Sequence, residues 1–351
     1  EINSVIALYS NGQIQEALGA VETLIKSYPN EPLLYNISGV CYKAIGKLDE
    51  AIKSFEKALT IKSDYAEVHY NLGVTLNELG QLDAAVNSYE KALAIKPDYA
   101  NACNNLGNAL KDLGQLDSAI KYYNKALAIK PDYAEAHNNL GNALKDLGQL
   151  DAAIKSFEKA LAIKPAFAEA HCNLGSTLKE LGQFNSAIKC YEKAIAINPD
   201  YPEALNNLGI ALMSLGQLDA AVKSYNQALA IKPEYANACA NHGEVMKRLK
   251  RLDEGLASYE RALVLKPDLD FLLGNLIHTK MSLCLWDDLP NYLNELTKKI
   301  NNNEKVINPF PLLALIDNPE IQRKTAEIQI NERYPKNHDL PEIGRYPKHK
   351  K

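Results

Sequence analysis

Seven asparagines recur at a fixed spacing of 34 residues: Asn71, Asn105, Asn139, Asn173, Asn207, Asn241 and Asn275. A carboxamide carries donor N–H groups and an acceptor oxygen together. A peptide bond presents the complementary pair, so a row of such amides can hold polypeptide backbone without reading its side chains. Each contact would contribute only ~0.5–1.5 kcal/mol net, which suits a surface that holds many sequences and releases them. Against this stands a plainer reading, in which each amide bonds to a neighbouring helix or to water.

The asparagines belong to a larger period. With repeats begun at Pro32, Ala66, Ala100, Ala134, Ala168, Pro202 and Ala236, six of them occupy the sixth position of every repeat but the first, and Asn275 that of an eighth unit begun at Asp270. Glycine fills the eighth position (Gly39 to Gly243) and, in all but the last repeat, the fifteenth (Gly46 to Gly216). An aromatic stands at the twenty-fourth, as in Phe157 and Tyr191, and proline at the thirty-second, as in Pro165. In the repeat from Ala134, the apolar residues Ala136, Leu140, Ala143, Leu144 and Leu147 fall at helical spacing. Gly148 is suited to the left-handed conformation that stops a helix. Asp151 is placed to cap the next helix or favour its positive end, and Pro165 ends that helix. Small Gly141 and Ala160 let paired helices approach, with Phe157 expected to fill space between neighbouring repeats.

This 34-residue pattern of small and large residues resembles the tetratricopeptide repeat. The fold expected is all-α: a right-handed superhelix of helix pairs, an α-solenoid, with a C-terminal helical cap or adaptor. Residues 1–269 hold a partial first repeat (1–31) and seven repeats of 34, and residues 270–351 a degenerate capping repeat and helical linker. The seventh repeat is degenerate, with Lys250 for the second glycine, Gly255 for the small alanine and His242 for the usual leucine. An end repeat is needed because each helix pair buries its apolar face only against a neighbour. The sixth position shares a helix face with the second, ninth and thirteenth, which are mostly polar, as in Glu135, Asn142 and Asp146. That face is expected to be concave. First helices ~10 Å apart and an extended chain advancing ~3.3 Å per residue would bring one rung to about every third residue of a threaded peptide.

Composition excludes several alternatives. The 351 residues are 46% hydrophobic and 23% charged, with a formal charge of -4, which gives no general attraction for nucleic acid or an anionic membrane. No apolar run is long enough to cross a bilayer and no secretion signal is visible, so cytoplasm is the expected compartment. The first residue is not Met, and the chain reads as a fragment of a longer protein. Six scattered cysteines without a CxxC pair read as free thiols. His69, His137 and His171 share the fourth position, but rungs some 10 Å apart cannot share a metal that needs ligands within ~2.1 Å. They are expected to line the groove or pack, and Cys103, Cys172 and Cys239 to fill space beside them. Lys111, Lys145 and Lys179, each followed by an acidic residue, read as a solvated mixed-charge edge. Basic residues at the second and fifth positions, which clamp chaperone tails in some tetratricopeptide domains, are missing: Glu67, Glu135, Glu169, Asn104, Asn138 and Asn206 stand there. No phosphate loop, nucleophile–base set or metal motif occurs, so no catalytic and no metal-binding residue is assigned.

The tail carries a further resemblance. WDDLPNYLNELTKKI reads as a helix, NNNEKVINP as a loop and PEIQRKTAEIQINERYP as a helix. The succession NLIHTKMSLCLWDDL, NPFPLLALIDNPEIQRKTAEIQ, RYPKHKK resembles the junction between repeats and catalytic domain in protein O-GlcNAc transferases. It is most similar to the bacterial, SPINDLY-related members of glycosyltransferase family 41. That resemblance implies a substrate-recruiting arm without transferase activity of its own, UDP-GlcNAc as the donor of the parent enzyme, and protein or extended-peptide partners. It also implies an asparagine ladder, matched by the seven residues named above. The first full repeat departs from it, with Ile37 at the sixth position and Asn36 one earlier. The family's catalytic histidines and UDP-binding residues match nothing in this sequence. The alternative is a freestanding scaffold that assembles partner proteins. A homodimer would form through convex surfaces that no sequence pattern marks.

Overall fold

A computed structural model describes residues 2–333, with side chains to residue 331. These residues form twenty α-helices and no strand. The basic RYPKHKK segment lies outside the described residues. No helix among them is long and apolar enough to cross a membrane. By internal contacts the chain divides into two compact units, Glu1–Ser186 and Ala187–Lys351.

Within each unit the period is written as helix pairs. A first helix of thirteen residues, such as Ala134–Asp146, is followed by a second of fourteen, such as Leu150–Ile163. The turn between them closes on Gly148, whose φ is +74°. Gln149 N–H reaches Leu144 C=O at 2.8 Å and Gly148 N–H reaches Lys145 C=O at 2.8 Å. This six-to-one and five-to-two closure satisfies the last carbonyls of the first helix, and only glycine enters its left-handed geometry without cost. In the seventh repeat Lys250 is forced into the same geometry at φ 63°. Asp151 does not cap: Gln149 is the N-cap residue, without a side-chain cap bond, and Asp151 lies in the first turn. There its charge faces the positive helix end. The second helix stops at Ile163, ahead of Pro165.

The glycine at the eighth position is a packing residue. A Cβ on Gly141 would lie 2.6 Å from Phe157 Cε1, and one on Gly107 2.6 Å from Tyr123 Cε1. Phe157 and Tyr123 are fully buried. The aromatic therefore seats on the glycine of its own repeat, rather than chiefly filling space between repeats as the spacing suggested. Successive pairs stack, and first helices touch the first helices of the next repeat, as Ala100–Asp112 touches Ala134–Asp146.

The second unit ends on a small core of its own. Leu273 and Ile277 of the helix Leu272–Ser282 pack with Leu296, Ile300, Val306, Ile307, Leu312 and Ile321. The loop before Asn308 crosses this helix so closely that a Cβ on Gly274 would sit 2.6 Å from Ile307 Cγ1. Gly274 N–H donates to Val306 C=O at 2.9 Å. The tail helices run Leu289–Asn301 and Pro319–Arg333, with a short turn of helix at Pro309–Leu312. The first begins three residues later than expected from WDDL, because Pro290 has no N–H and fits only a first turn.

Candidate peptide-binding groove

All seven sixth-position asparagines are half-buried. The structure also engages them. Asn71 Nδ2 donates to Asn36 Oδ1 at 3.0 Å, Asn139 to Asn104 at 3.0 Å, Asn173 to Asn138 at 3.0 Å and Asn241 to Asn206 at 2.9 Å. Each bond runs from the sixth position of one repeat to the fifth position of the repeat before. Asn105 makes the same link to the hydroxyl of Tyr70, at 3.1 Å, because tyrosine replaces asparagine there. The plainer reading, a bond to the neighbouring helix, describes one N–H of these five amides. One N–H of five rungs is committed to the scaffold. In Asn71, Asn139, Asn173 and Asn241 no bond from the described residues to the carboxamide oxygen or to the second N–H is present. A carboxamide has two donor hydrogens and one acceptor oxygen, so the pair that complements a peptide bond remains.

The fifth-position residues were missed as part of the ladder. Asn104, Asn138 and Asn206 are buried, and they act as anchors that fix which way each rung amide faces. Their signal was in plain view as the asparagine doublet of NNLG. The departure at Asn36 and Ile37 has the same explanation: the first full repeat supplies an anchor and no rung. Asn138 spends its own N–H on Glu169 Oε1 at 3.0 Å, and Asn104 its own on Asn105 Oδ1 at 3.3 Å.

The predicted shared face exists in each unit. In the second unit a cavity of about 910 Å³ is lined by Asn237, Asn241, Glu244 and Arg248, the second, sixth, ninth and thirteenth positions of one repeat. Asn207 and Asn275, the rungs on either side, line it too. Asn308, Pro311 and Gln329 of the tail form another part of its wall, with Gln329 donating to Asn308 at 3.0 Å. In the first unit a hollow of about 420 Å³ is bounded by Tyr70, Asn71, Val74 and Glu78. The Tyr70 and Tyr99 rings meet at 4.9 Å between centres, tilted by 38°, and burial, with Tyr70 beside it, pushes the Tyr99 hydroxyl up to about 12.

Glu244 is the most engaged charge on this face. It accepts from Lys247 Nζ at 2.6 Å, Arg248 Nε at 3.1 Å and Tyr259 Oη at 3.1 Å. Burial alone would push its carboxyl up, but these donors and the two cations hold it below the usual carboxylate range. Lys247 also donates to the Asn275 rung oxygen at 3.4 Å.

The histidines are not groove ligands. Nε2 of His69, His137 and His171 faces the carbonyl of Ser63, Pro131 and Pro165, at 2.9, 3.1 and 3.0 Å. Each pins the loop between repeats, on a proline carbonyl in two cases and on that of Ser63 in the third. No disulfide joins the six cysteines, four of which are buried. Among the described residues no group of His, Cys, Asp and Glu could hold a metal ion. Of the lysines read as a mixed-charge edge, Lys111 pairs with Asp112 at 3.6 Å and Lys145 with Glu180 at 4.0 Å, as Lys43 does with Glu78 at 2.8 Å, while Lys179 is half-buried and burial pushes its ammonium down.

Comparison with known proteins agrees with this architecture. A TPR repeat family model matches residues 39–80, 75–114, 107–148, 141–182 and 176–216, and a tetratricopeptide repeat model matches 202–235. No curated protein matches significantly. Among solved structures, the chain is similar to the APC/C hetero-tetramer Cut9–Hcn1, with TM-score 0.60 and 17% identity, over 76% of this chain and 52% of that one. It is also similar to YrrB, described as a TPR protein with an unusual peptide-binding site (TM-score 0.46, 25% identity, 56% of this chain, 99% of that one). MamA gives TM-score 0.44 and 30% identity over 47% of this chain and 96% of that one.

Proposed function

The chain belongs to the tetratricopeptide repeat family, and from that premise we propose that it binds extended polypeptide along its asparagine face, as the substrate-recruiting arm of a protein O-GlcNAc transferase. The observation that carries the binding half is the divided amide. Anchors at Asn36, Asn104, Asn138 and Asn206 each hold one rung in a set orientation, and the rung keeps its oxygen and one N–H. A donor–acceptor pair already held in place loses little freedom when backbone arrives. Regular spacing then sums weak, sequence-blind contacts. The transferase half rests on the resemblance of the tail segment around PFPLLALIDNPEIQ. UDP-GlcNAc would be the donor of the parent enzyme, and no step through it is assigned to residues of this chain.

The test is capture of protein partners by the full chain and by its Asn139→Ala/Asn173→Ala variant, with bound proteins counted by mass spectrometry. Loss of most captured partners is expected, with helix content retained. Unchanged capture would remove the ladder as the binding element. Adding UDP-GlcNAc to the protein as encoded by its gene, and probing the captured proteins for the sugar, separates the transferase arm from a freestanding scaffold.

A further inference from the structure

The thirteenth position changes sign between the two units. In the first unit it carries Glu78, Asp112, Asp146 and Glu180, while lysine recurs at the twelfth in Lys43, Lys111, Lys145 and Lys179. Three of these lysines pair with a thirteenth-position carboxylate, so that edge is close to neutral. In the seventh repeat the lysine persists as Lys247, but the thirteenth residue is Arg248. Both cations then share one carboxylate, Glu244, at 2.6 and 3.1 Å. The other acid in the cavity wall, Asp270, has Lys305 at 3.9 Å. The Lys247–Arg248–Glu244 cluster in the wall of the cavity that holds Asn207, Asn241 and Asn275 thus carries one positive charge in excess, while Asp270 of the same wall is answered by Lys305 from outside it.

The geometry points to an anion subsite in this cavity, formed by Lys247 and Arg248 beside the Asn275 rung, that takes a carboxylate of the bound polypeptide. The inference rests on the peptide-binding reading above and adds a side-chain preference to it. Arg248 uses its Nε–H on Glu244, which leaves the terminal N–H groups of its fork for a second carboxylate. Lys247 has three donor hydrogens; one reaches Glu244 and one is within reach of Asn275 Oδ1. A carboxylate arriving between them would complete the charge balance that the first unit supplies internally. The Asn275 amide, relieved of Lys247, would then face the adjoining backbone. The carboxylate comes either from an Asp or Glu side chain or from a chain terminus.

An array of random twelve-residue peptides, printed once with amidated and once with free C-termini, distinguishes these sources. The full chain, Arg248→Glu and Arg248→Lys are each bound to it, with circular dichroism as the check on folding. Expected is at least a threefold enrichment of Asp and Glu among peptides that bind the full chain, kept in Arg248→Lys and lost in Arg248→Glu. Enrichment on the amidated array assigns the subsite to a side chain, and enrichment confined to the free array assigns it to the terminus. Peptide binding without an acidic preference, or a preference that survives Arg248→Glu, overturns the subsite while leaving the ladder intact. Absence of any peptide binding overturns the ladder reading and the subsite with it.

Discussion

The bond between Asn139 and Asn104 offers a direct measurement of how the ladder is built. Asn104 is only 4% exposed, and its Oδ1 receives the Asn139 N–H at 3.0 Å. In Asn139→Ala that oxygen stays buried and loses its donor, at a cost of about 1–3 kcal/mol. Asn104→Ala removes the buried acceptor itself, and the half-buried Asn139 amide turns to water, so the cost falls to roughly 0.5–1.5 kcal/mol. In the double variant nothing buried is left unpaired. Its total should fall short of the sum of the singles by about 1 kcal/mol, within the range seen for directly contacting pairs. Stacked repeats need not unfold in a single step. The assay is therefore hydrogen exchange of the helices Ala100–Asp112 and Ala134–Asp146 under native conditions, which reads the opening energy of these two repeats. A further variant sharpens the sign. Asn139→Asp sets a carboxylate, an acceptor only, against the Asn104 oxygen, and should destabilise more than alanine does. If the two alanine effects add to within about 0.3 kcal/mol, the amides are not coupled. The rung would then not be held in place, and the argument from preorganisation would fail.

Two other outcomes follow from local geometry. Lys250 adopts φ 63° where the other repeats use glycine, at ~1–2 kcal/mol for an L-residue. Lys250→Gly should stabilise the seventh repeat by about 0.5–1 kcal/mol after the added chain freedom of glycine, whereas Lys250→Ala should give no gain; equal melting temperatures for the two variants would contradict this. Burial pushes the His137 and His242 imidazoles below their ordinary value of 6.5, against the pull of the Pro131 carbonyl on one and Glu254 on the other. The unfolded chain then binds more protons below that value, so stability is full above about pH 6.5 and falls as pH drops toward the depressed folded values. Thermal melts at pH 8 and pH 5.5 should show a smaller fall for His137→Gln than for the parent chain, and an identical fall would exclude His137 as a contributor.

Much of this molecule could be read from one repeat. Gly148 is where a left-handed turn must fall, Pro165 where a helix must stop, and the apolar stripe of Ala136, Leu140 and Ala143 states which face is buried. These are local consequences of backbone sterics and of a 3.6-residue period, so neighbours in sequence are enough to decide them. The seat of Phe157 on Gly141 of its own repeat, the loop pins made by the fourth-position histidines, and the share of each rung amide already spent were decided only by stacking. A bond from Asn139 to Asn104 spans 35 residues, and a hydrogen bond needs its partners within about 3 Å. No periodicity along one helix specifies which atom of the next helix will stand at that distance. For the same reason the sequence marked where the asparagines recur, while the packing of one repeat on another determined which five of them donate an N–H to the scaffold.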